Sequence, residues 1–264
     1  MLIHISHKIE FRVDPEKQSY GVNWHNLNNN DYEPDTIAFL GKYVDNNCIF
    51  LDCGAAVGAM SLVAASLGAK VIAYEPMEHI FELAQANVKL NSEMESQIEI
   101  KKVAVGNAEA FIEIIGKSER GVISEIVSQT RNFQDKPIKV VDLKREIESI
   151  KNQRIVMKID IEGAEFKLLS DKELLSLLKS RKIICILALH PGFTRPIKGN
   201  KLRIIRQVVW KVRNLADCYF LFKSLKNYAI IKRSNEAIVD SALKFSLLSA
   251  AGVYEYILDF GFIR

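Results

Sequence analysis

From residue 48 onward, short apolar runs alternate with segments whose apolar residues recur at three and four. Ile49-Phe50-Leu51, Val71–Tyr74, Ile98–Val105, Ile155–Ile159 and Ile183–Leu189 read as strands. Met60–Leu67, closed by Gly68, reads as a helix, as does Met77–Leu90 with Ile80, Leu83, Ala84 and Val88 on one face. Further helices are predicted over Gly163–Leu169, Asp171–Lys179 and Leu202–Leu215. Phe111–Ile115 is strand-like, 116–137 irregular, and Val140–Ile150 contains a helix-like piece. Tyr219–Leu225 and Tyr254–Phe260 read as the last strands, with a helix near Ala237–Ala250 between them. The strands are continuous apolar runs, as in a sheet covered on both faces. Their alternation with helices predicts an α/β fold with a mostly parallel central sheet.

Residues 1–31 are polar and rich in asparagine over Asn23–Asn30, with Tyr20 and Trp24 embedded. They read as a flap or ribbon over a core. Glu33-Pro34-Asp35 looks like a helix start, because proline suits the first turn and acids suit the positive end of the dipole. Ile37, Leu40 and Val44 give that helix an apolar face. The chain is thus expected to divide into a leader with a cap helix, 1–47, and a main domain, 48–264. In open α/β sheets ligands bind at the carboxyl ends of the strands, which selects Asp52, Glu75, the Ala104-Val105 region, Asp160 and His190.

Composition narrows the class without changing this picture. The 264 residues are 48% hydrophobic and 26% charged, ordinary for a soluble globular protein. The four cysteines form no C-x-x-C pair, and no zinc or disulfide framework is visible. No basic segment followed by a long apolar run opens the chain, and Ile183–Leu189 is far short of the ~20 residues that span a bilayer. A reduced, cytoplasmic location is expected. The net charge of +4 is small and no Asn-Pro-Pro-Tyr block occurs, so nucleic acid is not an expected partner. That small charge conceals ten basic residues and no acid between Lys179 and Ala216. Leu202, Ile205, Val209 and Val212 give this stretch an apolar side. It reads either as a solvated helix face or as a surface that attracts an anionic acceptor, including one at a membrane surface.

The most informative segment is Leu51-Asp52-Cys53-Gly54-Ala55-Ala56-Val57-Gly58, a strand running into an acid, two glycines around a tight turn, and a helix. Gly54 would let the backbone approach a ligand closely, and Gly58 would let the helix sit against the sheet. An acid just before the turn would repel a pyrophosphate and suit an ammonium. This favours S-adenosylmethionine over NAD, whose phosphates need a helix N-terminus. Glu75 follows Gly54 by 21 residues at the next strand end, where a carboxylate can accept from both ribose hydroxyls. Lys158, Asp160 and Glu162 alternate at another strand end, with Glu165 beyond. So many ionisable groups at a buried strand end point to a site or to a salt-bridge cluster.

Together, Asp52-Cys-Gly-Ala-Ala-Val-Gly, Tyr32-Glu33-Pro34, Tyr74-Glu75-Pro76 and Lys158-Ile-Asp-Ile-Glu-Gly-Ala-Glu165 resemble the FkbM-type family of class I methyltransferases, over about Tyr32 to His190. Asparagine is common in that family where Ala56 stands, and an acid is frequent near the fifth strand end, where this chain has His190. The resemblance implies a Rossmann-like fold, S-adenosylmethionine as donor, and O-methylation of a glycan, sugar or other natural-product hydroxyl. It implies donor contacts at Tyr32, Glu33, Asp52, Gly54, Ala55, Gly58, Glu75, Pro76, Ala104 and Asp160. An alkyl hydroxyl needs a base during attack. Asp160 and His190 are the candidates, with Glu162 placed to orient the acceptor. A divalent metal held by carboxylates is the other route to hydroxyl activation, without a diagnostic ligand set in the sequence. An NAD-linked oxidoreductase and a catalytically inactive binding module are the competing functions.

Overall fold

The computed structural model describes residues 1–16, 22–112, 137–190, 203–233, 235–250 and 255–261, with backbone alone for 203–213 and 250. The leader forms an antiparallel hairpin, β1 Leu2–Ser6 and β2 Ile9–Arg12, then α1 Trp24–Asn28, whose Asn23 cap accepts the Asn26 N–H at 3.0 Å. The helix expected after Glu33 is α2, Pro34–Tyr43, with proline in its first turn. There follow β3 Cys48–Cys53, α3 Ala59–Ser66, β4 Lys70–Tyr74, α4 Glu78–Lys89, α5 Ser92–Glu95 and β5 Ile98–Lys101. Next come β6 Ala104–Gly106, β7 Ala110–Ile112, β8 Ile138–Asp142, α6 Leu143–Ser149, β9 Arg154–Ile159, α7 Glu165–Leu168 and α8 Lys172–Ser180. The last elements are β10 Ile184–Ala188, α9 Arg203–Leu225, β11 Ile230–Arg233, α10 Ala242–Ala250 and β12 Glu255–Asp259.

Seven strands form the central sheet in the order β11-β12-β10-β9-β3-β4-β5. β10, β9, β3, β4 and β5 pair in parallel, and β12 runs antiparallel to both its neighbours. Strand alternation sends Ile49, Leu51 and Cys53 to one face, against α6, α8, α9 and α10. Cys48 and Phe50 go to the other, against the hairpin and α1 to α4. The expected α/β architecture, mostly parallel with helices on both faces, is present. Among the described residues no helix is long and apolar enough to cross a membrane.

Two expectations need correction. The run Tyr219–Leu225 is not a strand but the end of α9. Cys218, Leu221, Phe222 and Leu225 are buried while Tyr219 and Phe220 are exposed, a helical spacing that outweighs the strand preference of aromatic residues. The strand in this region is β11. The run Ile98–Val105 is broken after Lys101 by a tight turn (Val103 N–H to Lys101 carbonyl, 2.9 Å). Its second half joins β8 and β7 in a separate three-stranded sheet. The helix-like piece expected within Val140–Ile150 is α6, which follows β8 and is capped by Asp142. The irregular stretch 116–137 lies, but for its last residue, outside the described residues, as do 113–115 of the strand-like piece and 191–202 of the basic segment.

Gly54 shows how tightly the centre of the sheet is built. Its φ is 88°, and a Cβ there would stand 1.8 Å from the Asp160 carbonyl oxygen. The absent Cβ is required first by the chain's own backbone after β9, and Gly54 also lines the cavity described below. Gly54→Ala combines a left-handed backbone with an impossible contact. It should lower stability by roughly 2–5 kcal/mol in urea denaturation; an unchanged midpoint would show that the two strand ends part easily.

Candidate active site

The strand order turns back between β3 and β9, the place where doubly wound sheets open a crevice. A cavity of about 320 Å³ lies there, within the usual range for small-molecule sites. Tyr32, Glu33, Gly54, Ala55, Glu75, Pro76, Ala104, Asp160 and Glu162 line it, as do Lys158, Tyr74 and Ala56. Asp52, Gly58 and His190 are not in its lining.

The β3–α3 turn keeps its amides for the protein. Gly54 and Ala55 N–H donate to the Tyr74 carbonyl at 3.1 and 3.0 Å, and Gly58 N–H to the Ala55 carbonyl at 2.9 Å. Ala56 N–H donates to Glu75 Oε2 at 3.1 Å. Those four N–H groups are committed within the protein. Glu75 Oε1 accepts Met77 N–H at 2.8 Å. Burial pushes the Glu75 carboxyl up to about 7, against the pull of these two amide bonds.

Glu33, Ala56 and Glu162 hold φ at 46°, 47° and 51°, and all three line the cavity. Left-handed backbone costs roughly 1–2 kcal/mol at a residue with a Cβ. Three such positions around one cavity mark a place where local stability has yielded to shape. Asparagine, common in the family where Ala56 stands, tolerates this conformation better than alanine.

Beneath the cavity lies a group of buried charges. The Lys158 ammonium is buried 2.6 Å from Asp160 Oδ2. Burial opposes its charge, but Asp160, Glu33 and Asp52 together hold its pKa well above the ordinary value. Asp52 is Lys158's register partner across β3 and β9 and is fully buried. Its Oδ2 accepts the Ser61 hydroxyl at 2.6 Å. Burial raises the Asp52 carboxyl, opposed by Lys158 and by that hydroxyl. Asp52 Oδ1 and Glu33 Oε2 are buried with no hydrogen-bond partner among the described residues. The Tyr32 hydroxyl is raised by burial and by the adjacent Glu33.

Asp160 and His190 stand at the ends of adjacent strands, as expected, with His190 Nδ1 3.7 Å from Asp160 Oδ1. Sequence reasoning gave Glu165 no role of its own, yet it is the anchor of this corner. It is fully buried, Oε1 accepting Ile161 N–H at 3.0 Å and facing His190 Nδ1 at 3.1 Å, and Oε2 accepting Gly163 N–H at 2.8 Å. Burial disfavours charge on His190, but the Glu165 hydrogen bond and the charges of Asp160, Glu165 and Glu162 prevail and raise it to about 9. The surrounding carboxylates thus favour the protonated ring. Burial raises the Glu162 carboxyl, with His190 pulling the other way.

Fold and crevice together define a Rossmann-like class I methyltransferase architecture. The family described as the methyltransferase FkbM domain matches residues 52–208, and the chain belongs to that family. Among solved structures, the FkbM methyltransferase of Methylobacillus flagellatus KT is 13% identical with a TM-score of 0.45. The match covers 82% of this chain and 44% of that one, so this chain spans less than half its length. The human methyltransferase 10 domain containing protein is 13% identical with a TM-score of 0.42, over 96% of this chain and 88% of that one. P. horikoshii TYW2, solved with MeSAdo, is 14% identical with a TM-score of 0.38, over 97% and 69%. No curated protein matches the chain.

Glu75 supplies a test of the cavity's electrostatics. Its carboxyl titrates at about 7 when folded, against 4.5 for an ordinary glutamate. The folded chain thus holds this proton more tightly. The group's contribution is fully present below pH 4.5 and is lost as pH rises through about 7. Glu75→Gln lacks this titration, so its stability relative to the parent should climb between those values, by up to roughly 3 kcal/mol. Stability curves that stay parallel across that window would show an ordinary carboxyl.

Proposed function

We propose that the chain is an S-adenosylmethionine-dependent O-methyltransferase acting on a hydroxyl of a glycan, sugar or other natural product. The observation that carries this reading is a cavity lined by the carboxylates Glu33, Glu75, Asp160 and Glu162, beside a turn four of whose N–H groups are already committed. Such a cavity suits a ligand with cationic groups and a ribose, and is a poor fit for a pyrophosphate. The residues fit this donor: Glu33 offers a buried, unpartnered oxygen to its ammonium, with Asp52 adding negative potential from below. Glu75 lies where ribose hydroxyls can donate to it. Tyr32, Ala55, Pro76 and Ala104 supply the apolar walls.

When bound, the donor supplies a methyl carbon that forms a bond to the acceptor oxygen while the carbon–sulfur pair departs to sulfur. The protein's part is to align the two partners and to take the hydroxyl proton. Asp160 is the proton acceptor in this reading. Lys158 fixes its carboxylate at 2.6 Å, and the cationic His190 stands on its other side. Glu162, on the same cavity wall, orients the acceptor. The acidity of the described wall suits a neutral polyhydroxyl acceptor better than an anionic one.

Calorimetry on the intact chain should show binding of S-adenosylmethionine and its demethylated product and none of NAD. Glu75→Ala should weaken donor binding by roughly 1.5–3 kcal/mol, the worth of a hydrogen bond to a charged group. NAD binding, or equal donor affinity in the variant, would end this reading. Asp160→Asn should keep the fold and donor affinity while turnover of a hydroxyl acceptor falls about 10²–10⁴-fold. Full turnover in that variant would pass the base to another group.

A further inference from the structure

The corner where β9 and β10 end brings together more than a base and its neighbours. One ligand atom from each of Asp160, Glu162 and His190 lies within 4.8 Å of the other two. Ligands about 2.2 Å from a common ion stand roughly 3–4.4 Å apart, so small side-chain adjustments close the set. We propose that Asp160, Glu162 and His190 bind a divalent cation of the Mn²⁺ type.

Two further features support a built site. The first is Glu165, which holds both halves of the trio from behind. Its carboxylate accepts the backbone N–H groups of Ile161 and Gly163, which flank Glu162, and it meets His190 Nδ1 at 3.1 Å. A carboxylate behind a histidine is how metal-ligating rings are usually fixed in orientation and tautomer. The second is Asp160 itself. Lys158 occupies Oδ2, while Oδ1 is the oxygen near the ring.

Two carboxylates and one imidazole are a mixed set. Mg²⁺ and Ca²⁺ prefer oxygen alone, and thiolate-seeking metals find no sulfur in it. Three protein ligands leave positions open for an acceptor hydroxyl, which the ion would polarise and acidify, and with the ion bound Asp160 serves as its ligand in place of the base. That role rests on the methyl-transfer reading; the ion site does not.

The test is Mn²⁺ titration of the intact, chelator-stripped chain by calorimetry. One saturable site is expected. Glu162→Gln and His190→Ala should each weaken it at least tenfold, with folding checked by circular dichroism. Glu165→Gln, which touches no ion, should weaken it roughly 10–100-fold. Lack of a saturable site, or equal affinity in Glu162→Gln and His190→Ala, overturns the proposal. Donor binding is measured on the same metal-free sample. Donor binding without a Mn²⁺ site overturns the ion alone; a Mn²⁺ site without donor binding upholds the ion and overturns the methyl-transfer reading.

Discussion

The site depends on one buried ammonium. Lys158 lies under the crevice with Asp160 bonded to it and with Asp52 and Glu33 in its field. These carboxylates come from three elements: the end of β3, the turn after β9, and the start of α2. Each would be costly to bury alone, and so would the lysine. Together they are tolerable, and they fix the relative position of the three elements that form the cavity. Removing Lys158 would leave its carboxylate partners without their counter-charge, a loss usually of about 3–5 kcal/mol. Stability and function are thus drawn from the same few groups.

The approach of β9 to β3 follows from this. Asp160 reaches Lys158 with its side chain while its carbonyl presses on Gly54, so position 54 has no space for a side chain. Glu33, Ala56 and Glu162 accept left-handed backbone at the rim. Those positions would relax if the cavity had no shape to keep. The buried Glu165 then joins the turn after β9 to the end of β10 and gives His190 its charge.

Much of this was legible in the residues. The strand–acid–glycine turn at Asp52 and the acid block at Lys158 announced the crevice. Local pattern alone placed β3, β4, β9 and β10. The failures have a common cause, which is information held at a distance. The aromatic run near Tyr219 looked like a strand because its side chains favour one. The spacing of Cys218, Leu221, Phe222 and Leu225 was the signal that contradicted it. Nothing near Gly54 in sequence reveals the Asp160 carbonyl that denies it a side chain. The protonation of His190 is favoured by Glu165, 25 residues away, and no local pattern carries that. Asp52, expected to touch the donor, is buried on the Ser61 hydroxyl and outside the cavity lining.

The reversed strand β12 has its own consequence. It pairs Glu255 with Ala188, next to the end of β10, so a residue made late in synthesis stands at the edge of a crevice whose other walls were made early. Burial and the nearby Glu33 and Asp35 push the Glu255 carboxyl up to about 7. Domains emerge from the ribosome N-terminal end first. The nascent chain therefore carries β3, β4, β5 and β9 before β12, which enters the sheet between β10 and the earlier-made β11, so β11 joins the sheet only through a strand made after it.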